Sequence, residues 1–329
     1  MGSRESWVDY AKSIGIMLIV FGHLPNTTTV VKFLWTFHVP LFFFISGYLF
    51  SEGRNTSDVL KKTVLRLIIP YFVMYISLEL IDVLHGKVTV DDFQQSMKAM
   101  FYGSNTYPGF VRGQMWFFPS IISVSLLFFF VIRRFPYLYI IPLAASIYIY
   151  SQGWVNMFLS VDLSLLGLNF YIAGYFCKKY DVVKLWQKMS KYTLFVSFVV
   201  LFFIVLDFAK SGNVWYGGDR YMFSYIGGVF GIMMVCVLAQ LLSTSFKNNM
   251  AVRFVSDNTL MIMAFHTETY RYGNLLFGDL LSSHQFVYNL VVMLIAVIAL
   301  VPVIFVVNWL VPELVGIKRK PFAFWKNIK

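Results

Sequence analysis

Charge is scarce in this chain. Only 13% of its 329 residues are Asp, Glu, Lys or Arg, whereas a soluble domain needs about 25% to cover its surface. A wholly water-exposed protein is therefore excluded. Cysteine is scarcer still. Cys177 and Cys236 are the only two, both lie in apolar stretches, and neither a disulfide framework nor a metal-ligand spacing can be built from them. The alternating pattern of a membrane barrel is missing, because the apolar runs are continuous. Low-complexity linkers and obvious tandem repeats are missing too. The first apolar stretch has none of the marks of a cleavable leader, being preceded by Asp9 and Lys12 and followed by no small-residue cleavage site.

What is present is hydrophobic residue, at 58% of the chain with a mean hydropathy of +0.69. Runs such as Leu126 to Ile132 and Tyr137 to Tyr150 have no place in a soluble core but are at home in lipid. The pattern predicts ten apolar spans, over 8–24, 31–50, 65–84, 115–132, 137–152, 159–177, 192–208, 221–242, 259–277 and 286–311. The expected fold is an all-α, polytopic integral membrane bundle. A single domain over residues 1–329 is expected, with no appended soluble domain. The longest polar interruption, 85–114, is the place for a structured external loop. Gly227 and Gly231 make a small-xxx-small pair, read as close helix packing.

The net charge of +11 does not point to nucleic acid, because the basic residues cluster between apolar spans. With the N-terminus inside, twenty of the 27 lysines and arginines fall on the cytoplasmic side and seven outside. That bias predicts cytoplasmic N- and C-termini and multi-pass residence in the inner (plasma) membrane.

Ionisable groups within a bilayer are costly and so are candidates for function. Lys12 and His23 are eleven residues apart in span one, about 16.5 Å of helical rise and close to three turns. They share a face, with Lys12 at the cytoplasmic end and His23 toward the outer leaflet. The bland alternative is a snorkelling lysine and a packed histidine. His38, in the run Phe37-His38-Val39-Pro40 that opens span two, is expected at similar depth to His23, and two imidazoles there suit general-base work. Lys61, Lys62 and Arg66 mark the cytoplasmic boundary of span three. They read either as an orientation signal or as an anion site for phosphates, with Lys62 and Arg66 four apart on one helix face. Trp116, in Gln114-Met115-Trp116-Phe117-Phe118-Pro119 at the outer start of span four, reads as part of an aromatic belt. His266 in span nine shares no face with Glu268. Glu79, Asp82 and Asp162 read as outer-half, interfacial carboxylates. His85 and His284 read as loop residues. No metal site is expected.

Several of these pieces occur together in one family. The run Val8-Asp9-Tyr10-Ala11-Lys12-Ser13-Ile14-Gly15-Ile16, ending in Phe21-Gly22-His23, resembles the first helix of the acyltransferase-3 membrane O-acyltransferases. Lys12 and His23 match its basic residue, ten intervening residues and histidine, with lysine where many members have arginine. The run Phe37-His38-Val39-Pro40-Leu41-Phe42-Phe43-Phe44-Ile45-Ser46-Gly47-Tyr48-Leu49 resembles the branch related to fucose 4-O-acetylase. Arg66 to Tyr71 resembles the family's third-helix start, and Trp116-Phe117-Phe118-Pro119 its Trp-Phe-Leu-Pro element, with phenylalanine replacing leucine. The resemblance runs through about residue 120, and beyond that it rests on span count and His266.

The resemblance implies transfer of an acyl group, usually acetyl, from cytoplasmic acetyl-CoA to a hydroxyl of a cell-surface glycan or its lipid-linked precursor. It implies His23 as general base or transient acyl carrier, with His38 orienting or sharing the proton. Lys12, Lys61, Lys62 and Arg66 would serve the acyl donor, and Trp116, His266 and Glu79 the acceptor. Expected partners are acetyl-CoA, a glycan or glycolipid and membrane lipids; a homo-oligomer is compatible with the pattern. The competing class is a proton-coupled transporter or flippase using His23, His38 and Glu79, and a third is a non-catalytic scaffold. No inverted repeat supports transport, and retention of His23 speaks against the scaffold.

Overall fold

The computed structural model describes all residues except 1–3, 54, 105–106, 109–112, 153–156, 188, 209–220, 248, 278–283 and 316–329. Every regular element among the described residues is helical. In chain order the α-helices are α1 (Ser6–Gly22), α2 (Thr28–Trp35), α3 (His38–Tyr48), α4 (Thr56–Thr63), α5 (Ile69–Leu84), α6 (Val90–Tyr102), α7 (Phe117–Leu127), α8 (Ile141–Gln152), α9 (Val161–Lys179), α10 (Val182–Gln187), α11 (Lys191–Phe208), α12 (Tyr221–Ser245), α13 (Met250–Asp257), α14 (Thr259–Phe277) and α15 (Gln285–Leu310). Helix occupies each of the ten stretches expected to be apolar spans. Among the described residues, seven segments are long and apolar enough to cross a membrane: Thr28–Tyr48, Thr56–Leu84, Gly113–Ile132, Phe158–Lys179, Lys191–Phe208, Met222–Ser245 and Gln285–Leu310. Of the other three stretches, α1 and α8 are shorter, with 17 and 12 residues. The third, α14, is the more polar helix that carries His266, Glu268 and Arg271. The C-terminal cluster Lys318, Arg319, Lys320, Lys326 and Lys329, used in reading orientation, lies outside the described residues.

Several expected spans are not plain α-helices, the second and third among them. The second breaks between α2 and α3. Pro40, three residues into α3, has no N–H to offer the carbonyl of Thr36, and its ring crowds that turn. The freed groups regroup locally: the Leu34 carbonyl accepts the Phe37 N–H at 3.2 Å and the His38 Nδ1–H at 2.6 Å. Glycines of α12 make room for the break. A Cβ at Gly231 would meet the Phe37 ring at 2.5 Å, and one at Gly228 would lie 3.0 Å from the Thr36 carbonyl oxygen. The third span passes through a π-helical turn, Val64–Ile68, which contains Arg66. Turns of this kind insert one extra residue and recur at functional sites. The π turn begins between Lys62 and Arg66, and both side chains are exposed.

The centre of the bundle is the α3–α9 contact. A Cβ on Gly47 would fall 1.9 Å from the Tyr171 carbonyl oxygen, and one on Gly174 would fall 1.9 Å from that of Phe44. Only glycine lets the two backbones meet at this distance, and the approach is reciprocal. Around it pack the fully buried Phe43, Phe44, Phe118, Phe128 and Phe170.

The expected external segment 85–114 does carry structure, in the form of α6. It is closed at its N-terminus by a capping box between Thr89 and Asp92 and at its C-terminus by left-handed Gly103 (φ 71°). Two tyrosines of α5 fix it in place. Tyr71 donates its hydroxyl to the Met100 carbonyl at 2.8 Å, and Tyr75 pairs with Ser96 at 3.1 Å. Of the three carboxylates expected at an interface, Glu79 (0% exposed) and Asp162 (2%) are buried within the bundle. Asp82 pairs with Lys87 at 2.9 Å.

Candidate active site

The end of α1 sets the geometry. His23 caps this helix rather than lying within it, and its Nδ1 lies 2.8 Å from the Ile19 carbonyl oxygen. His266, on α14, points its Nδ1 at the Met263 and Ile262 carbonyls, at 2.7 and 3.1 Å. His38 does the same toward Leu34. A carbonyl only accepts, so in the neutral imidazole each of these Nδ1 atoms must carry the proton. Each Nε2 is then left with its lone pair, the form a general base requires.

The chain brings these histidines together from three distant segments. The rings of His23 and His266 have centroids 4.9 Å apart. Trp35 is near both His23 and His38, its ring 6.4 Å from the first and 6.2 Å from the second. Its indole N–H donates to the Gly22 carbonyl at 3.2 Å, one residue before His23. The three differ in access. His23 is exposed, whereas His38 and His266 are 4% and 0% exposed. The Nε2 of His266 is enclosed and has no hydrogen-bond partner among the described residues. A buried, unsatisfied polar atom of this kind costs about 1–3 kcal/mol, and its position against His23 ties it to the site.

α13 and α14 are held along α1 over its whole length. Near the chain start, Ser13 donates to the Val252 carbonyl at 2.8 Å and Lys12 donates to that of Ser256. Arg4 bridges Asp9 and Asp257 at 2.6 and 2.8 Å. Higher up, the Tyr270 hydroxyl donates to the Val20 carbonyl, and its ring lies 5.4 Å from that of His266. The register of His266 against His23 follows from these ties. Lys12 is thus engaged with backbone three turns below His23.

The remaining sequence candidates fall elsewhere. Lys61, Lys62 and Arg66 are exposed along α4 and its π turn, where a groove of about 550 Å³ is lined by Thr56, Ser57, Leu60, Lys61, Val64 and Leu65. Glu79 is enclosed on α5. Trp116 ends a short 3-10 turn, Gly113–Trp116, which Gln114 fastens to α14 through the Ala264 carbonyl and the Thr267 hydroxyl, both at 3.0 Å. Those two residues flank His266 in the sequence. Trp35, Gln114 and Tyr270 had not been singled out. Tyr270 carried a usable signal, being one helical turn beyond His266 on the same face. Trp35 and Gln114 carried only adjacency to the motifs.

A family model described as an acyltransferase domain matches residues 5–310, nearly the whole described chain. No curated protein and no solved structure gives a significant match.

Proposed function

Because the chain belongs to the acyltransferase-3 family, we propose that it is a membrane O-acetyltransferase that moves the acetyl group of cytoplasmic acetyl-CoA to a hydroxyl of a cell-surface glycan or its lipid-linked precursor. The observation that carries the mechanism is the convergence of His23, His38 and His266, three of the five histidines of the chain, with only His23 open to an incoming substrate. Its Nε2 takes the proton of the acceptor hydroxyl as that oxygen attacks the thioester carbonyl carbon. The carbon–sulfur bond then breaks, and the CoA thiolate leaves with the proton returned from His23. His266 packs against the base, and Trp35 fixes the last turn of α1 beneath it. His38 is buried beside Trp35 and acts by positioning its neighbours rather than by contact with the acceptor.

The acyl donor enters from the opposite end of the third span. Lys61, Lys62 and Arg66 are exposed cations on one short stretch of chain, and such a cluster suits phosphates. Lys12 already donates to the Ser256 carbonyl, so its part is to hold α13 against α1 and contribute positive charge. The enzyme resides in the inner membrane, with both termini cytoplasmic.

The test is acetyl transfer from radiolabelled acetyl-CoA to deacetylated surface glycan by purified protein. His23→Ala is expected to reduce turnover at least about a hundredfold, the range of a lost general base, with folding checked by thermal unfolding. Full activity in this variant removes His23 from the mechanism.

A further inference from the structure

Outside the histidine site, one feature has the shape and chemistry of a second binding place. It lies on α6, the helix between the third and fourth expected spans. The inward face of α6 carries Ser96, Ala99 and Met100, all buried. Its opposite face carries Asp91, Gln94, Gln95 and Lys98, spaced so that all four project from one side of the helix. All four are exposed. Together with Tyr107 and Pro108 they line a recess of about 380 Å³, within the ~300–1,000 Å³ of small-molecule sites. Tyr107 is stacked on Tyr102 with ring centroids 4.4 Å apart, so the aromatic wall is held rigid.

The lining chemistry is selective. Among the described lining residues one carboxylate and one ammonium balance each other, so these residues favour neither an anion nor a cation. Two carboxamides offer donors and acceptors side by side, and an aromatic ring offers an apolar face. That set complements a neutral polyol with adjacent hydroxyls and a C–H face, which is the chemistry of a sugar ring. A solvated polar face alone would need neither the facing aromatic wall nor so firm an anchor. The capping box, the left-handed Gly103 and the hydroxyls of Tyr71 and Tyr75 hold this short helix in one orientation.

The recess is also within reach of the histidines. Pro108 is five residues from Gly113, a separation of at most about 18 Å. The Gly113–Trp116 turn is bonded directly to the helix of His266 through Gln114. Passage of the chain places α6 and the C-terminal end of α1 on the same side of the bundle, since both follow an outward span. An acceptor of several sugar units could therefore occupy the recess with one residue while presenting another to His23.

We propose that the Gln94–Gln95–Tyr107 recess is a distal subsite for a neutral oligosaccharide acceptor, which it holds away from the reacting hydroxyl. The proposal rests on the acetyltransferase reading for the identity of the acceptor. Its own signature is a dependence on acceptor length.

The experiment uses the full-length protein and two probes prepared from the deacetylated surface glycan of the producing cell: its monosaccharides, and fragments of four to eight units. The variants are Gln94→Ala/Gln95→Ala and Tyr107→Ala, which alter exposed or half-buried side chains and leave the anchoring bonds of α6 intact. The expected result is an acceptor KM for the long fragments raised about tenfold in each variant with kcat unchanged, the effect of losing uniform binding. KM for the monosaccharides and the rate of acetyl-CoA hydrolysis without acceptor stay at wild-type values. Direct retention of the long fragments by immobilised protein, without acetyl-CoA, falls in the same variants. Unchanged KM and unchanged retention of the long fragments overturn the subsite, as does an equal loss with short and long acceptors. If wild-type protein transfers no acetyl group to any acceptor, the acetyltransferase reading fails; retention that still depends on Gln94, Gln95 and Tyr107 then sustains the sugar site by itself, and its absence overturns that as well.

Discussion

Arg66 and Glu5 show how a single side chain can be tested apart from the histidines. Arg66 lies in a π-helical turn, exposed, with the planar donor set that suits phosphate. Removing a charged hydrogen bond of this type costs about 1.5–3 kcal/mol, or roughly 10–100-fold in affinity. Arg66→Ala is therefore expected to raise KM for acetyl-CoA by that factor with kcat little changed. Unaltered dependence on acetyl-CoA would place the donor elsewhere. Glu5, at the start of α1, accepts from Lys178, from the Tyr48 hydroxyl at 2.7 Å and from the Trp7 indole at 2.8 Å. Burial alone would push its carboxyl up, but these bonds and the Lys178 charge together hold it below its ordinary value of 4.5. A carboxyl depressed on folding stabilises the protein above that ordinary value, and the benefit is lost as pH falls through the lower, folded value. Thermal stability in detergent should accordingly decline below about pH 4.5, and the decline should be shallower in Glu5→Gln. An identical acid profile in both proteins would show that this cluster contributes nothing.

At the scale of elements, the informative positions are places where helices touch or break. The α3–α9 contact leaves no room for a side chain at Gly47 or Gly174, where a Cβ would lie 1.9 Å from a carbonyl oxygen. Either glycine changed to alanine forces the two backbones apart. The expected cost is about 3 kcal/mol or more, at the upper end for overpacking, read as a lowered midpoint of thermal unfolding. A midpoint unchanged in both variants would contradict the packing. Gly47 lay in plain view within the second-span motif, but its partner Gly174 did not, because helix pairing is not encoded in either segment alone. Gly227 and Gly231 were legible as packing residues. What they pack against, the broken turn at Thr36 and Phe37, was not. Pro40 signalled a helix entry, but the continuous apolar run around it argued for one unbroken span. The π turn at Arg66 was equally hidden, since it follows from how the third span meets its neighbours rather than from residue type.

For the whole molecule, the central proposal is a division between two faces, with donor phosphates at Lys61, Lys62 and Arg66 and acceptor at His23 and α6. Single cysteines placed at Lys61 and at Gln95 test it directly. The native Cys177 and Cys236 are both buried, so background labelling is low. A membrane-impermeant maleimide added to intact cells should label Gln95→Cys, and should reach Lys61→Cys only after the membrane is opened. The reverse pattern would invert the bundle and with it the direction of transfer.

Membrane residence, helical class and the boundaries of most spans were determined by the sequence itself. Those properties follow from local hydrophobicity and from the need to satisfy each backbone group within its own helix, and neither depends on which helices are neighbours. His23, His38 and His266 could each be named in the same way, as costly groups in an apolar setting. Only the tertiary structure decided that His266 lies against His23, that Trp35 is near both His23 and His38, and that of these three histidines His23 is the exposed one. Those facts arise from hydrogen bonds and close packing between segments far apart in the chain. The tie from Tyr270 to Val20 and the fit of Gly231 against Phe37 are examples, and no periodicity within one segment specifies such a partner.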